Sequence, residues 1–151
     1  MQRLKKESVG LTINQPRDVL SVIPRYVKHS RVEHFGLIVM GSGRKVIDYR
    51  VLFKGGTSDC SVDIKPVLWE MAKKKAVCGI VFHNHPSGIM EPSKHDENTT
   101  KRLESAFRVC GYSLLDHIIV SKDGYYYSFK EDDALMSEEK LEEKVADLLR
   151  G

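Results

Sequence analysis

The stretch from Val77 to Asp96, VCGIVFHNHPSGIMEPSKHD, limits the possible folds more than any other part of the sequence. Its first six residues are apolar or small, as in a strand that is buried inside a sheet. His83 and His85 follow directly. Side chains two positions apart share one face of an extended chain, so both imidazoles can point at the same ion. The pattern therefore predicts a metal site at the end of a buried strand.

The segment that follows supplies a third candidate ligand. Prolines and a glycine turn the chain after His85, and Ser93 then begins a helical pattern that places Asp96 in the first turn. A carboxylate that faces a core needs a partner, because burial of an unpaired charge is unfavourable. Two nitrogens and one oxygen around an open position are typical of catalytic zinc. The apolar stripe of this helix, on whose line Asp96 lies, is formed by Leu103, Ala106, Phe107 and Cys110.

Ser93 and Asp96 also have a simpler interpretation. The sequence Ser-Lys-His-Asp fits the start of a helix, in which the serine caps the helix and the acid favours its positive end. Capping alone would explain both residues. The combination of two histidines with an inward-facing acid favours the metal site. Of the other histidines, we treat His29, His34 and His95 as non-ligands.

The segment His83-Asn84-His85-Pro86-Ser87-Gly88, followed by Ser93 and Asp96, resembles the motif of the JAMM (MPN-type) zinc metallopeptidases, in the form found in bacterial RadC proteins. The similarity covers roughly residues 14 to 130. Its other parts are Glu33-His34-Phe35, Thr100, Leu114 to Val120 and Tyr127-Ser128-Phe129.

The resemblance implies one mixed α/β domain, with a twisted mixed sheet flanked by helices and an architecture similar to that of cytidine deaminases. It implies one Zn²⁺ per chain on His83, His85 and Asp96. It also implies a general acid/base at Glu33 and an oxyanion-stabilising hydroxyl at Ser93. The implied activity is hydrolysis of an amide bond in a peptide or protein substrate.

Asp116 and His117 are candidates to support this site from behind, because metal-bound histidines usually need a hydrogen-bond acceptor. An equally open alternative is a satisfied polar pair at the edge of a strand.

We divide the chain into an arm (1–13), a RadC-like domain (14–130) and an acidic amphipathic C-terminal helix (131–151). A chain of 151 residues is long enough to bury a sizeable core, so we expect it to fold without metal or disulfide. Its three cysteines lack C-x-x-C spacing, which fits reduced thiols, and we expect Cys78 and Cys110 in the core. No apolar run approaches the roughly 20 residues that cross a bilayer, so we expect a cytoplasmic protein without membrane contact.

In the first half of the chain, the apolar patterns predict a helix over about residues 15 to 29 that is interrupted at Pro24, strands near 35–40 and 44–54, and a helix that begins near Asp63. In the second half they predict a strand over 77–82, a helix from Ser93 to Gly111, a hairpin over 114–129 with its turn at Asp123-Gly124, and a helix from Ser137.

Charge argues against a dedicated nucleic-acid binder. Residues 1 to 50 hold ten Lys or Arg against four Asp or Glu, whereas residues 131 to 151 hold three against eight, and no dense basic stripe is present. Full-length RadC proteins carry a helix-hairpin-helix region without a counterpart in these residues, which weakens the expectation of DNA binding. A DNA-repair accessory or nuclease and a non-catalytic scaffold remain the alternatives, and no pattern specifies an oligomeric state.

Overall fold

Continuous apolar runs form the central strands, and amphipathic segments between them form the helices. The computed structural model describes residues 8–55 and 62–151. Within these ranges the elements are α1 (Arg25–Lys28), β1 (His34–Met40), β2 (Val46–Lys54), α2 (Lys65–Lys73), β3 (Cys78–Asn84), α3 (Lys94–Cys110), β4 (Ser113–Val120), β5 (Tyr126–Ser128) and α4 (Glu138–Leu149), together with short 3₁₀ segments at Pro16–Ser21 and Ser42–Arg44.

The described strands form one mixed sheet in the order β2-β1-β3-β4-β5. β1 is antiparallel to β2 and β3, β3 is parallel to β4, and β4 is antiparallel to β5. A parallel pair needs a crossover connection, and α3 provides it between β3 and β4. β1 and β3 are buried along their whole length, as their continuous apolar sequences predict. The prediction of a mixed α/β domain with a helix-flanked sheet is confirmed.

Each face of the sheet carries its own apolar cluster. One cluster includes residues of α1 and the Pro16–Ser21 segment, and the other includes residues of α2 and α3. Val81 of β3 belongs to the second cluster. Because side chains two apart share a face of a strand, His83 projects on the same side, toward α3. The second cluster comprises Phe35, Leu37, Val39, Val67, Met71, Ala76, Val81, Leu103 and Phe107.

The sheet extends further toward the histidines than the sequence predicted. β3 continues to Asn84, so His83 lies inside the strand, and only His85 follows it. The reason is pairing on both sides, because His83 is opposite Phe35 of β1 and Ile119 of β4.

The prediction that Cys110 lies in the core is wrong. Cys110 is exposed, whereas Cys78 is buried. Cys110 is the last residue of α3, and the chain leaves the helix at Gly111 in the left-handed region, with φ 83°. The thiol therefore lies beyond the turns that pack on the sheet. Cys60 and residues 1–7 of the predicted arm lie outside the described residues.

The acidic C-terminal helix α4 packs on α3 of the same chain. Ser137 caps it, and Arg108 of α3 forms ion pairs with Glu138 at 2.8 Å and Glu142 at 3.2 Å. Among the residues that the structure describes, none of the helices combines the length and apolar character that a membrane span requires.

Candidate metal centre

His83, His85 and Asp96 meet at the end of β3. One nitrogen of each imidazole and a carboxylate oxygen of Asp96 all lie within 4.8 Å of one another. His83 Nε2 is 2.9 Å from His85 Nε2 and 3.3 Å from Asp96 Oδ1, and His85 Nε2 is 3.1 Å from Asp96 Oδ2. Ligands at roughly 2.0–2.1 Å from a tetrahedral zinc stand about 3.3 Å apart. The spacing of the three groups therefore suits one zinc ion.

Asp96 reaches this position because of the helix cap. Ser93 Oγ accepts a hydrogen bond of 3.0 Å from the Asp96 amide, and Asp96 Oδ2 accepts one of 2.9 Å from the Ser93 amide. This reciprocal capping box fixes the first turn of α3. The same carboxylate faces both histidines, so capping and the candidate ligand role are compatible in one residue.

In neutral His85, the nitrogen that faces His83 and Asp96 carries no proton. Its Nδ1 lies 2.7 Å from the carbonyl oxygen of Ile89, which can only accept a hydrogen bond. Nδ1 therefore carries the proton, and the lone pair of Nε2 points toward His83 and Asp96.

A chain of three hydrogen bonds fixes the same tautomer in His83. The Thr100 hydroxyl donates to the main-chain carbonyl of Asp96 at 2.8 Å, so its oxygen accepts from His117 Nδ1 at 2.6 Å. His117 Nε2 then lacks a proton and accepts from His83 Nδ1 at 2.7 Å. The remaining nitrogen of His83, Nε2, is left with a lone pair for an ion.

The charge state of His117 agrees with this arrangement. Burial lowers the pKa of His117 well below its usual value, so the ring is neutral, as the chain of bonds requires. Burial raises the pKa of Asp96, but the imidazoles of His83 and His85 beside the carboxylate outweigh this effect and hold it well below its usual range. Burial lowers the pKa of His85, while the nearby Asp96 carboxylate and the bond to the Ile89 carbonyl bring the net shift upward. The raised pKa favours the protonated ring, so an ion bound at Nε2 of His85 would displace that proton.

Glu33 and Ser93 line the same cavity as these ligands, a space of about 620 Å³. Glu33 is exposed and lies one residue before β1. It is two positions from Phe35, so it projects on the face of the sheet that carries the candidate metal centre. The Phe35 ring stacks on His83 with 6.2 Å between ring centroids. Apolar side chains also line the cavity, namely Phe53, Val62 and Ile89.

Asp116 and His117 lie next to each other on β4, and their side chains point to opposite faces of the sheet. His117 contacts His83 and is fully buried. Asp116 instead accepts hydrogen bonds from Ser128 Oγ at 2.6 Å and from the amides of His117 at 2.7 Å and Lys130 at 3.0 Å. Asp116 therefore anchors the end of β5 and the residues that follow it, and its described bonds are those of a satisfied polar group.

The sequence interpretation gave no role to Thr100, although it completes the chain of hydrogen bonds behind His83. The sequence does contain a signal that Thr100 lies near the candidate centre. Thr100 lies four residues after Asp96 and so shares its face of the helix. The distance from Thr100 to His117 depends on how α3 packs on β4, and no local pattern specifies that packing.

A comparison with known proteins identifies relatives of this chain. The profile of the RadC-like JAB domain matches residues 13–135. The chain belongs to the RadC-like JAB domain family. A "UPF0758 protein" of Clostridium perfringens is 36% identical over 129 residues, which cover 85% of this chain and 56% of the relative. A protein of the same name from Shewanella piezotolerans is 36% identical over 132 residues, which cover 86% of this chain and 58% of the relative. Another from Porphyromonas gingivalis is 30% identical over 124 residues, which cover 82% of this chain and 55% of the relative.

This RadC-like chain thus spans a little over half the length of the curated relatives it matches. The matched part contains the whole candidate centre, from Glu33 to His117.

Proposed function

We propose that this RadC-like JAB domain is a zinc-dependent hydrolase, with one Zn²⁺ per chain, that cleaves an amide bond in a peptide or protein. The observation that carries the proposal is the hydrogen bonding of the two histidines, whose Nδ1 atoms each lie 2.7 Å from an acceptor, His117 Nε2 for His83 and the Ile89 carbonyl for His85. His83 and His85 both direct a free Nε2 lone pair at the space that the Asp96 carboxylate also faces. Ligand atoms that are oriented in advance and face an open cavity suit a catalytic rather than a structural metal site.

His83, His85 and Asp96 would hold the zinc ion, which would supply a water of pKa about 7 and a Lewis acid for the substrate carbonyl. Glu33 is the group that removes the proton from the attacking water. It is exposed at the mouth of the cavity. Among the described residues, no hydrogen bond or ion pair occupies its carboxylate, so it is free to take up a proton and pass it to the leaving amine.

Ser93 has a hydroxyl proton available for the developing oxyanion. Its oxygen already accepts from the Asp96 amide, which fixes the side chain through a lone pair and leaves the O–H free to donate. A positioned donor of this kind stabilises the negative charge that appears in acyl transfer.

The charge of the cavity favours an amide over a phosphodiester substrate. Besides Glu33, the acidic residues Asp63 and Glu91 line the walls. A nuclease needs cationic side chains near the phosphates of its substrate, because the phosphate backbone dominates nucleic-acid binding. Carboxylates at the mouth would repel that backbone, whereas an uncharged peptide bond would enter without this penalty.

The test compares metal-free and zinc-loaded protein on a quenched-fluorescence peptide library and on a lysine ε-linked isopeptide. We expect zinc-dependent hydrolysis that Glu33→Gln reduces by about 10² to 10⁴, the range for a lost general base, with zinc content and thermal stability unchanged. Glu91→Gln is the matched control, because it removes another carboxylate from the same cavity. Metal-dependent cleavage of DNA without hydrolysis of any amide would contradict the proposal, and a full rate in Glu33→Gln would remove Glu33 as the base.

A further inference from the structure

Asn84 lies between the two candidate histidine ligands and binds the main chain on both sides of Glu33. Its Nδ2 donates to the Val32 carbonyl at 3.0 Å, and its Oδ1 accepts from the His34 amide at 2.7 Å. The residue is only 1% exposed. A single side-chain amide thus joins the end of β3 to the two residues that flank Glu33.

The side chain of Asn84 makes hydrogen bonds to the main chain at the point where the main-chain pairing of β1 and β3 ends. The last described pair is Phe35 with His83, and the next position would bring His34 opposite Asn84. The His34 amide, in a buried environment, and the Val32 carbonyl, in a partly buried one, are therefore left without a main-chain partner on β3. The amide of asparagine has one acceptor and one donor group in a plane, like a peptide unit, and satisfies both.

Glu33 is fixed from its other side as well. The Gly55 amide, directly after the end of β2, donates to the Glu33 carbonyl at 2.8 Å. The main chain of Glu33 is thus held between β2 and the Asn84 side chain, while its carboxylate extends into the cavity.

We propose that Asn84 is a positioning residue, which fixes Glu33 relative to His83 and His85. This inference rests on the proposed hydrolase function. Asn84 suits this role because it lies in β3 next to His83. When its hydrogen bonds hold the main chain around Glu33, they also hold Glu33 at a fixed distance from the candidate ligands His83 and His85. Other side chains at position 84 would not make both hydrogen bonds in the same way. Aspartate lacks the donor for the Val32 carbonyl, leucine lacks both the donor and the acceptor, and glutamine is one methylene longer.

The first test is independent of activity. Amide hydrogen exchange is measured by NMR for the metal-free and zinc-loaded protein, in the wild type and in Asn84→Leu. We expect exchange at the His34 amide to accelerate at least about 10-fold, because its acceptor is lost, while Leu37 in the middle of β1 remains protected. Asn84→Ala, which also removes the acceptor for the His34 amide, serves if Asn84→Leu does not fold. Unchanged exchange at His34 overturns the inference whatever the activity.

The second test uses the library peptide that the wild type cleaves fastest. We expect Asn84→Leu to lower kcat by about 10²-fold, the effect of a catalytic group displaced by about 1 Å, with KM and zinc content unchanged. The decisive comparison is the Glu33→Gln background, in which Asn84→Leu should have no further effect, because the group that it positions is already inactive. Ile38→Val is the matched control, since it removes buried volume from β1 without touching Asn84.

The outcomes separate the two proposals. If the wild type cleaves amides but the effects of Asn84→Leu and Glu33→Gln multiply, Asn84 does not act through Glu33, and the inference fails while the proposed function stands. If the zinc-loaded wild type cleaves no amide, the proposed function fails, and the catalytic role of Asn84 fails with it.

Discussion

Thr100 and His117 share a hydrogen bond of 2.6 Å that connects α3 to β4 directly behind the candidate metal centre. Thr100 donates to the Asp96 carbonyl at the same time. One hydroxyl therefore links the helix that carries Asp96, the candidate carboxylate ligand, to the ring that orients His83. Histidine ligands of metals depend on such outer partners for their tautomer and orientation.

The first prediction concerns this hydroxyl. Thr100→Val keeps the shape of the side chain but removes the acceptor for His117 Nδ1, so the tautomer of His83 is no longer fixed. We expect zinc affinity to fall about 10- to 100-fold, the usual loss for an outer partner of a ligand. Competition with a chromophoric chelator measures the affinity, and ¹⁵N NMR of the imidazoles reports the tautomers.

Thr99→Val is the matched control for this variant. Thr99 is the neighbouring threonine on α3, is buried to a similar degree and also lines the cavity. Equal loss of zinc affinity in both variants would show that a general disturbance of α3, and not the loss of the hydrogen bond to His117, accounts for the lower affinity.

The second prediction separates the two roles of Asp96. Asp96→Asn keeps an oxygen that can accept from the Ser93 amide, so the capping box persists, but it removes the anionic ligand. We expect wild-type protein to bind close to one zinc per chain by elemental analysis, and Asp96→Asn and His83→Ala to lose it. The metal-free fold should persist in circular dichroism, because the core is formed by apolar clusters on both faces of the sheet. Retention of a full equivalent of zinc in both variants would exclude these residues as ligands.

The sequence predicted the parts of the fold that follow from local chemistry. The helix start at Ser93, its end at Gly111 and the break at Pro24 each depend on one or two neighbouring residues, and the structure has them where they were expected. His83, His85 and Asp96 were grouped from spacing alone, and the structure brings them together. Their roles remain predictions.

The features that the sequence did not predict depend on contacts between distant segments. The bonds from Asn84 to Val32 and His34 span 52 and 50 residues, and the bond from His83 to His117 spans 34. An asparagine between two histidines carries no periodic signal, so its partners become visible only when β1 and β3 are paired. The exposure of Cys110 likewise follows from where α3 ends relative to the sheet, which an apolar stripe does not specify.

The third prediction compares two serines that cap helices in the same way. Ser93 Oγ accepts from the Asp96 amide and Ser137 Oγ accepts from the Lys140 amide. Ser93→Ala and Ser137→Ala should each lower the free energy of unfolding by about 1 kcal/mol, the usual contribution of a cap. Only Ser93→Ala should also lower the rate of amide hydrolysis, by about 10²-fold, because only that hydroxyl lines the cavity. Thermal unfolding and peptide cleavage are measured on the same preparations, and equal rates in the two variants would leave Ser93 as a cap alone.

Glu104 of α3 is a buried carboxylate outside the candidate centre. Its Oε1 accepts from the Met136 amide at 2.9 Å, in the segment that leads to α4, and its Oε2 has no hydrogen-bond partner among the described residues. Burial raises the pKa of Glu104 from 4.5 to about 7, against the opposing effects of the Met136 amide, Lys101 and Lys144. The folded protein thus favours the protonated form more strongly than the unfolded chain does.

The fourth prediction follows from the sign of this shift. A carboxyl whose pKa is raised on folding contributes no penalty below the unfolded pKa of 4.5, and its penalty grows as pH rises toward the folded pKa of about 7. Glu104→Gln keeps the acceptor for Met136 and cannot ionise, so it should raise the free energy of unfolding at pH 8 by roughly 1–3 kcal/mol and change it little at pH 4.5. Urea denaturation at both pH values measures the difference between variant and wild type, in which the titration of all other groups cancels. Glu139→Gln, an exposed change on α4, should give no such pH dependence. An equal effect of Glu104→Gln at the two pH values would mean that the carboxyl ionises in the folded protein as readily as in the unfolded chain.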